Sequence, residues 1–406
     1  MKTPLLSVEA VQAQLLNHAL TNSVVESVAL NDVLGRVLAQ DYIATFDVPS
    51  HDNSAMDGYA ICTTDLLINE KTTLPVSQYI PAGKIPEQLL PHTAVRIFTG
   101  ALLPEGADTI VLQEDCTMEN EIVTIAAGLD LKKRQYVRKQ GSDFKKDDVI
   151  LQKGVIIGAA QMGMLATLGI GSVGVYKRLR VAICSTGDEL IEPGEALSHG
   201  KLYNSNRFAL RGLLQQMGVE VVDVGAIKDD KAQLKKAFIN AIETADCLIT
   251  SGGASEGDKD FIHELVTGLG EVKMWKLAIK PGKPFLFGTL THSNKTIPFF
   301  GLPGNPVSMF VTFLILVKPY LQRCQGLQKV TPLEEKIKAA FAWKTTHRQE
   351  YVRVKKMVDE RGEARLVIYA SQDSSVFSSL IWATGLAIVP PHTQVSDGNM
   401  LEYIAI

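Results

Sequence analysis

Cysteine is scarce in this chain and nowhere paired. Cys62, Cys116, Cys184, Cys247 and Cys324 are odd in number, widely scattered and form no C-x-x-C. That argues against a disulfide framework or a thiolate zinc site, and reduced thiols in a cytoplasmic protein are expected. Cys184 and Cys247 lie in apolar, strand-like runs and read as core residues. The 8 histidines are dispersed without metal-ligand spacing. No charge sign dominates: 41 basic residues face 44 acidic ones, for a net charge of −3. That balance gives no support for nucleic-acid binding through a basic surface. It carries no G-x-x-x-x-G-K-S/T, no G-x-G-x-x-G after a strand and no H-E-x-x-H. A P-loop NTPase, a Rossmann dehydrogenase and a zinc hydrolase are disfavoured accordingly. The N-terminus lacks the apolar core of a signal peptide. The stretch 156–176 carries no charge, but its many glycines favour a buried helix ending at Gly169, a turn and a strand over a lone membrane span. There are no tandem repeats and no low-complexity tracts.

What is present is enough for several cores. A chain of 406 residues that is 46% hydrophobic and 21% charged is expected to fold as two to four soluble domains. The segment 5–40 reads as helical, with Ser7 as N-cap and Glu9 in the first turn. From 51 to 60 the chain is polar and turn-like, and strands are expected at 75–80, 94–98, 109–113 and 121–126. Between 180 and 325 strands alternate with helices: strands at 181–184, 219–224, 247–250, 273–279, 284–287 and 298–300, helices at 207–217, 231–244, 261–269 and 307–321. That alternation predicts a mostly parallel sheet covered on both faces, with ligands at the loops after the strand C-termini. Beyond 329 short strands at 337–341, 351–354, 366–369, 385–389 and 401–404 predict a small antiparallel barrel or sandwich.

The densest chemistry lies between Asp246 and Ser308. Ser251-Gly252-Gly253 follows a buried strand, and glycines there let backbone N–H groups approach an anion; a tight strand-to-helix turn would use the same residues. Asp258 and Asp260 come next. Lys276 and Lys280 are four apart, on one side of an extended segment, and Lys283 follows a Pro-Gly turn. Three lysines framing Pro281-Gly282 and Pro284 favour an anion site over a solvated face. The rigid Pro303-Gly304-Asn305-Pro306 turn leads to Ser308. Upstream, Ser185-Thr186-Gly187-Asp188-Glu189-Leu190 offers phosphate donors and a metal carboxylate, or simply a helix cap. Asp229-Asp230 is open to the same two readings. Asn53-Ser54-Ala55-Met56-Asp57-Gly58-Tyr59-Ala60 and the Thr99-Gly100 pair read as turns when taken alone.

Taken together, these motifs resemble the molybdopterin molybdenumtransferases, the molybdenum-insertion family that includes the C-terminal domain of gephyrin. The likeness runs through 53–60, 96–108, 138–143, 185–190, 251–260, 276–284, 301–308 and 348–354. It implies an α/β multidomain fold: a helical linker and dimerisation domain at 1–46 plus 141–176, an inserted β-rich domain at 47–140, a central three-layer α/β/α domain at 177–326 resembling the molybdopterin adenylyltransferases, and a C-terminal β-barrel at 327–406. The reaction it implies is Mg²⁺-dependent: adenylylated molybdopterin and molybdate give molybdenum cofactor and AMP. The resemblance assigns catalysis to Asp57, Thr99, Glu189, Asp229, Asp260, Lys276 and Lys280. It assigns substrate binding to Arg138, Thr186, Gly187, Ser251, Gly252, Gly253, Lys283, Pro303, Pro306, Ser308 and Arg353, and Mg²⁺ to Glu189, Asp229 and Asp260. It further implies a homodimer in which Asp57, Thr99 and Arg138 reach across the dimer cleft, with the molybdopterin adenylyltransferase as a candidate delivery partner. Glu256, Ala254 and Ser374-Ser375 depart from the family pattern, and Glu256 adds a carboxylate near a dianion site. Two other readings are a stand-alone molybdopterin adenylyltransferase, which has no need of the motifs at 53–60, 96–108 and 138–143, and a gephyrin-like scaffold, which has no need of the carboxylates and lysines.

Overall fold

The computed structural model describes residues 5–67, 69–228, 230–252, 261–330 and 334–406. Asp229, Gly253, Asp258 and Asp260, and with them Ala254 and Glu256, lie outside the described residues. The chain divides into two compact units, the smaller made of Gln40–Lys153 with Met164–Gly169.

The larger unit is built on a six-stranded sheet in the order Glu220–Ile227, Arg180–Thr186, Cys247–Ser251, Lys295–Leu302, Pro284–His292, Gly270–Lys276. The first three neighbouring pairs are parallel, and the last two are antiparallel. Cys247–Ser251 is buried at every position, as befits a parallel strand covered on both faces. Helix Ser205–Gln216 packs Leu210 and Leu214 on one face, alongside the apolar helical run from Pro306 to Cys324. Helix Lys231–Thr244 packs Leu234, Phe238, Ala241 and Ile242 on the other, with Phe261–Leu269. This is the expected three-layer α/β/α arrangement. The parallel strands finish at Thr186, Ile227, Ser251 and Leu302 on one edge of the sheet, which gathers the loops that follow them.

One expectation fails at the start of the chain. Only Val8–His18 is α-helical, with Ser7 capping Ala10 N–H, and one 3-10 turn follows at Leu30–Asp32. Its Val8, Val11 and Leu15, spaced for one helical face, join the core formed by Phe285, Phe287, Phe300 and Tyr320. The chain then becomes the strand Val25–Ala29, paired antiparallel with Ser172–Tyr176. The β-branched residues Val24, Val25 and Val28 suit a strand better than a helix, and a pairing partner far along the chain decided the matter.

The C-terminal strands close into a five-stranded barrel. Gln349–Val358 pairs with Ala364–Ile368, which pairs with Glu334–Ala339, then Met400–Ala405, then Gly385–Val389, and so back to Gln349–Val358. All these pairings are antiparallel except that of Glu334–Ala339 with Ala364–Ile368. Val352, Val354, Leu366, Ala387 and Leu401 fill its interior. A short strand of the central domain, Ile279–Lys280, adds to the barrel in parallel and sets Lys280 opposite Glu350.

The smaller unit carries its own six-stranded sheet, ordered Thr109–Leu112, Gly58–Ile61, Ala94–Ile97, Thr72–Ile80, Ile122–Ile125, Cys116–Glu119. The strands expected from sequence are all there.

Candidate functional site

A cavity of about 1140 Å³ opens where the strand ends of the central sheet meet the edge of the barrel. Ten of the residues singled out in the sequence line it: Thr186, Gly187, Glu189, Ser251, Gly252, Lys280, Lys283, Pro303, Pro306 and Ser308. Ser251 is buried, and its hydroxyl shares a hydrogen bond of 2.9 Å with Ser185 on the neighbouring strand. Gly252 has φ +93°, and a Cβ there would stand 2.9 Å from the Thr186 carbonyl oxygen. Only glycine lets these two strand ends approach so closely. Gly282, at φ +108°, plays the same part on the lysine side, since a Cβ would run into Thr312 Oγ1. The Lys280-Pro-Gly-Lys283 turn is thereby seated against the helix that presents Ser308.

Lys280 is held by a residue that sequence reasoning missed. Its Nζ lies 3.2 Å from each carboxylate oxygen of Glu350. The Glu350 side chain is only 5% exposed, and its Oε2 also accepts from Trp343 Nε1 at 3.0 Å. The ammonium stands 5.9 Å from the Trp343 ring centroid, close enough for a cation–π contribution. The side chain of Lys280 is 42% exposed and remains open to the cavity. Arg348 also lines it, with its Nη1 reaching the Ile279 carbonyl at 3.5 Å and its Nε buried without an acceptor among the described residues.

Two expected site residues of the larger unit, Arg353 and Lys276, are not in the lining. Arg353 is 1% exposed. Its Nε donates to Ser379 Oγ at 3.2 Å, and its Nη2 donates to the carbonyls of Ser371 and Asp373 at 3.2 and 2.9 Å. Burial pulls its pKa down to about 10, against an opposing pull from Asp373, so it stays charged at neutral pH. It shapes the segment carrying Gln372, Asp373, Ser374 and Ser375, all of which do line the cavity. Asp373 accepts from the Ser375 hydroxyl and N–H, which hold its carboxyl below the usual range. The Ser374 carbonyl in turn accepts from Val307 N–H at 3.1 Å, joining this segment to the helix of Ser308. Lys276 ends the strand Gly270–Lys276, where its carbonyl accepts from Leu6 N–H at 3.0 Å.

The sequence matches three family models in order along the chain: "MoeA N-terminal region (domain I and II)" over 6–169, "Probable molybdopterin binding domain" over 182–323, and "MoeA C-terminal region (domain IV)" over 336–406. The molybdopterin molybdenumtransferase of Haemophilus influenzae is 39% identical over 380 residues, 93% of this chain and 92% of that protein. The chain belongs to the MoeA family of molybdopterin molybdenumtransferases. The Nostoc enzyme of the same name is 38% identical over 300 residues, 73% of this chain and 68% of its own length. A crystal structure of a molybdopterin biosynthesis MoeA protein from Pyrococcus horikoshii superposes with TM-score 0.83 at 27% identity, covering 99% of this chain and 100% of that one. The chain is thus an enzyme of molybdenum cofactor biosynthesis with the MoeA fold.

Among the described residues no three His, Cys, Asp or Glu side chains cluster as a metal site. Glu189 is the one expected metal carboxylate that can be placed, and it lines the cavity. One carboxylate is compatible with the Mg²⁺ expected from the sequence resemblance, because Mg²⁺ commonly takes one or two protein carboxylates and completes its shell with phosphate and water.

In the smaller unit, Asp57 and Thr99 meet. Thr99 donates both its N–H and its hydroxyl to Asp57 Oδ1, at 2.7 and 2.8 Å. These bonds, backbone first, hold the Asp57 carboxyl below its ordinary value. Arg138 pairs with Asn53 across a two-residue strand, close in sequence to the same turn. Arg96 fixes that turn by donating to the Gly58 carbonyl at 2.8 Å.

Proposed function

We propose that this chain inserts molybdenum from molybdate into adenylylated molybdopterin with release of AMP, in a Mg²⁺-dependent reaction. One observation carries the proposal: two kinds of anion-holding groups face a single cavity large enough for a nucleotide-sized ligand. On one side are the ends of two parallel strands, with Thr186, Gly187, Ser251 and Gly252 offering hydroxyls and close-approaching backbone. On the other are Lys280, Lys283 and Ser308, with Arg348 beside them.

In this reading the strand-end groups hold the phosphoanhydride, and the lysines with the Ser308 hydroxyl hold the tetrahedral dianion by charge-assisted hydrogen bonds. Mg²⁺ held by Glu189, with Asp229 and Asp260 completing the carboxylate set, would neutralise the anhydride oxygens and ease departure of AMP. Glu350 keeps the Lys280 ammonium aimed at the oxyanion, and Arg353 keeps the segment at Ser374-Ser375 in place. The metal's sulfur ligands come from the pterin dithiolene, so the protein needs no thiolates there. Asp57, Thr99 and Arg138 complete the site from a second copy of the chain in a cytoplasmic homodimer, and the substrate arrives from a molybdopterin adenylyltransferase.

The test is AMP release by the purified chain from adenylylated molybdopterin with Mg²⁺ and molybdate. Release should require both ions, and Lys280→Ala should raise the molybdate concentration needed for half-maximal rate. No AMP above the protein-free rate would end the proposal, and release indifferent to molybdate would reduce the activity to hydrolysis.

A further inference from the structure

The start of helix Ser205–Gln216 opens into the same cavity, which Asn204, Ser205 and Asn206 all line. A helix start leaves its first N–H groups without intrahelical acceptors and carries partial positive charge. This helix has no acidic residue in its first turn to offset that charge. Such a description fits many helices, and it is Asn204 that sets this one apart. Asn204 is 1% exposed. Its Oδ1 caps the helix by accepting from Arg207 N–H at 3.3 Å, which fixes the orientation of the amide. Its Nδ2 is then left buried with no acceptor among the described residues. A buried, unsatisfied donor is costly unless something else supplies the acceptor. Asn206 holds the arrangement in place: its Nδ2 donates to the Gly304 carbonyl at 2.7 Å, tying the helix start to the turn that precedes Ser308.

We propose that Asn204 Nδ2 and the first N–H groups of this helix form an oxyanion subsite that takes a phosphoryl oxygen of a nucleotide phosphoanhydride. The choice of a phosphoanhydride over molybdate rests on the function proposed above and on the chemistry of the donors. The lysine side carries formal charge, which suits a free dianion. The helix start offers neutral donors and a dipole, which suit a phosphoryl group already esterified and due to leave again.

Titration calorimetry on the full chain, with ADP and molybdate as separate probes, tests this. Asn204→Asp keeps the helix cap, because Asp caps as well as Asn, but puts a carboxylate oxygen where the amide donor stood. Asn204→Ser keeps a capping hydroxyl and removes the donor without adding charge. ADP affinity should fall about tenfold or more in Asn204→Asp and by a smaller factor in Asn204→Ser, while molybdate affinity and melting temperature stay near wild type. Unchanged ADP affinity in both variants overturns the subsite. So does a wild-type chain that binds no ADP, and so does a loss shared equally by ADP and molybdate. If ADP binding follows the expectation but no AMP is released from adenylylated molybdopterin, the subsite stands and the proposed reaction falls.

Discussion

Lys280 and Glu350 show how much a single residue's role depends on its partner. The Glu350 carboxylate is buried and has two donors, Lys280 Nζ and Trp343 Nε1. Removing one partner of such a pair leaves a carboxylate short of hydrogen bonds in a low-dielectric setting. Lys280→Ala should therefore destabilise the chain by about 1–3 kcal/mol, toward the low end because Lys280 itself is partly solvated. The same change made in a Glu350→Gln background should cost clearly less. Urea denaturation of the four proteins gives the coupling, and additive effects would show that the ion pair does not hold Lys280. The lysine was legible in the sequence as a charge beside a Pro-Gly turn. Glu350 was not, because 70 residues separate the two and only the strand pairing of Ile279–Lys280 with Gln349–Val358 brings them together. Asp57 gives a second residue-scale expectation. Hydrogen bonds from Thr99 lower its pKa below 3.8. A carboxyl shifted this way stabilises the fold above its unfolded pKa, and that contribution is lost as pH falls through the lower folded value. In an NMR titration the Asp57 midpoint should lie below 3.8 in the wild type and move upward in Thr99→Val. An unmoved midpoint would mean that the Thr99 hydroxyl does not stabilise the carboxylate.

Elements were read from sequence best where their burial is one-sided or complete. The strand–helix alternation of the central domain is legible because Cys247–Ser251 is buried throughout and opens on the apolar Cys-Leu-Ile run, and helix Lys231–Thr244 buries a regular face. Val25–Ala29 was misread because its pairing partner, Ser172–Tyr176, lies far along the chain. What orders the segment from Ser371 to Ser379, around the Ser374-Ser375 pair, is hidden from the sequence for a similar reason. Its order comes from Arg353, on a strand of the barrel, which serves two of its carbonyls and one hydroxyl. Arg353→Lys should fail to replace that pattern, since an ammonium lacks the planar fork of a guanidinium. Leaving these acceptors without their donor should cost about 1–3 kcal/mol for each that stays buried. Hydrogen exchange should quicken across the whole 371–379 segment, including the Ser379 turn. Exchange unchanged there in Arg353→Lys would show that the segment holds its shape without the guanidinium, and would return Arg353 to consideration as a ligand.

At the scale of the whole molecule the motifs fall into two groups. Glycines, lysines and the Pro-Gly-Asn-Pro turn of the central domain gather at one cavity. Asp57, Thr99 and Arg138 belong to the other compact unit. The sequence displays both groups, because glycine, proline and charged residues in turns are conspicuous, but it does not say whether the two groups serve one site. If each site draws Asp57 from one chain and Lys283 from the other, two inactive variants should rescue each other. An Asp57→Ala chain paired with a Lys283→Ala chain forms one site with both residues intact and one site with neither. Random co-assembly makes half the dimers mixed, each with one working site of two, so activity should return to about a quarter of wild type. If both residues act within one chain, every site in the mixed dimer lacks one of them and nothing returns. Co-expression with two different tags, purification through both and measurement of AMP release from the mixed species alone raises the expected recovery to about half. A mixed dimer no more active than its parents would place Asp57 and Lys283 in the same chain's site, or remove Asp57 from catalysis.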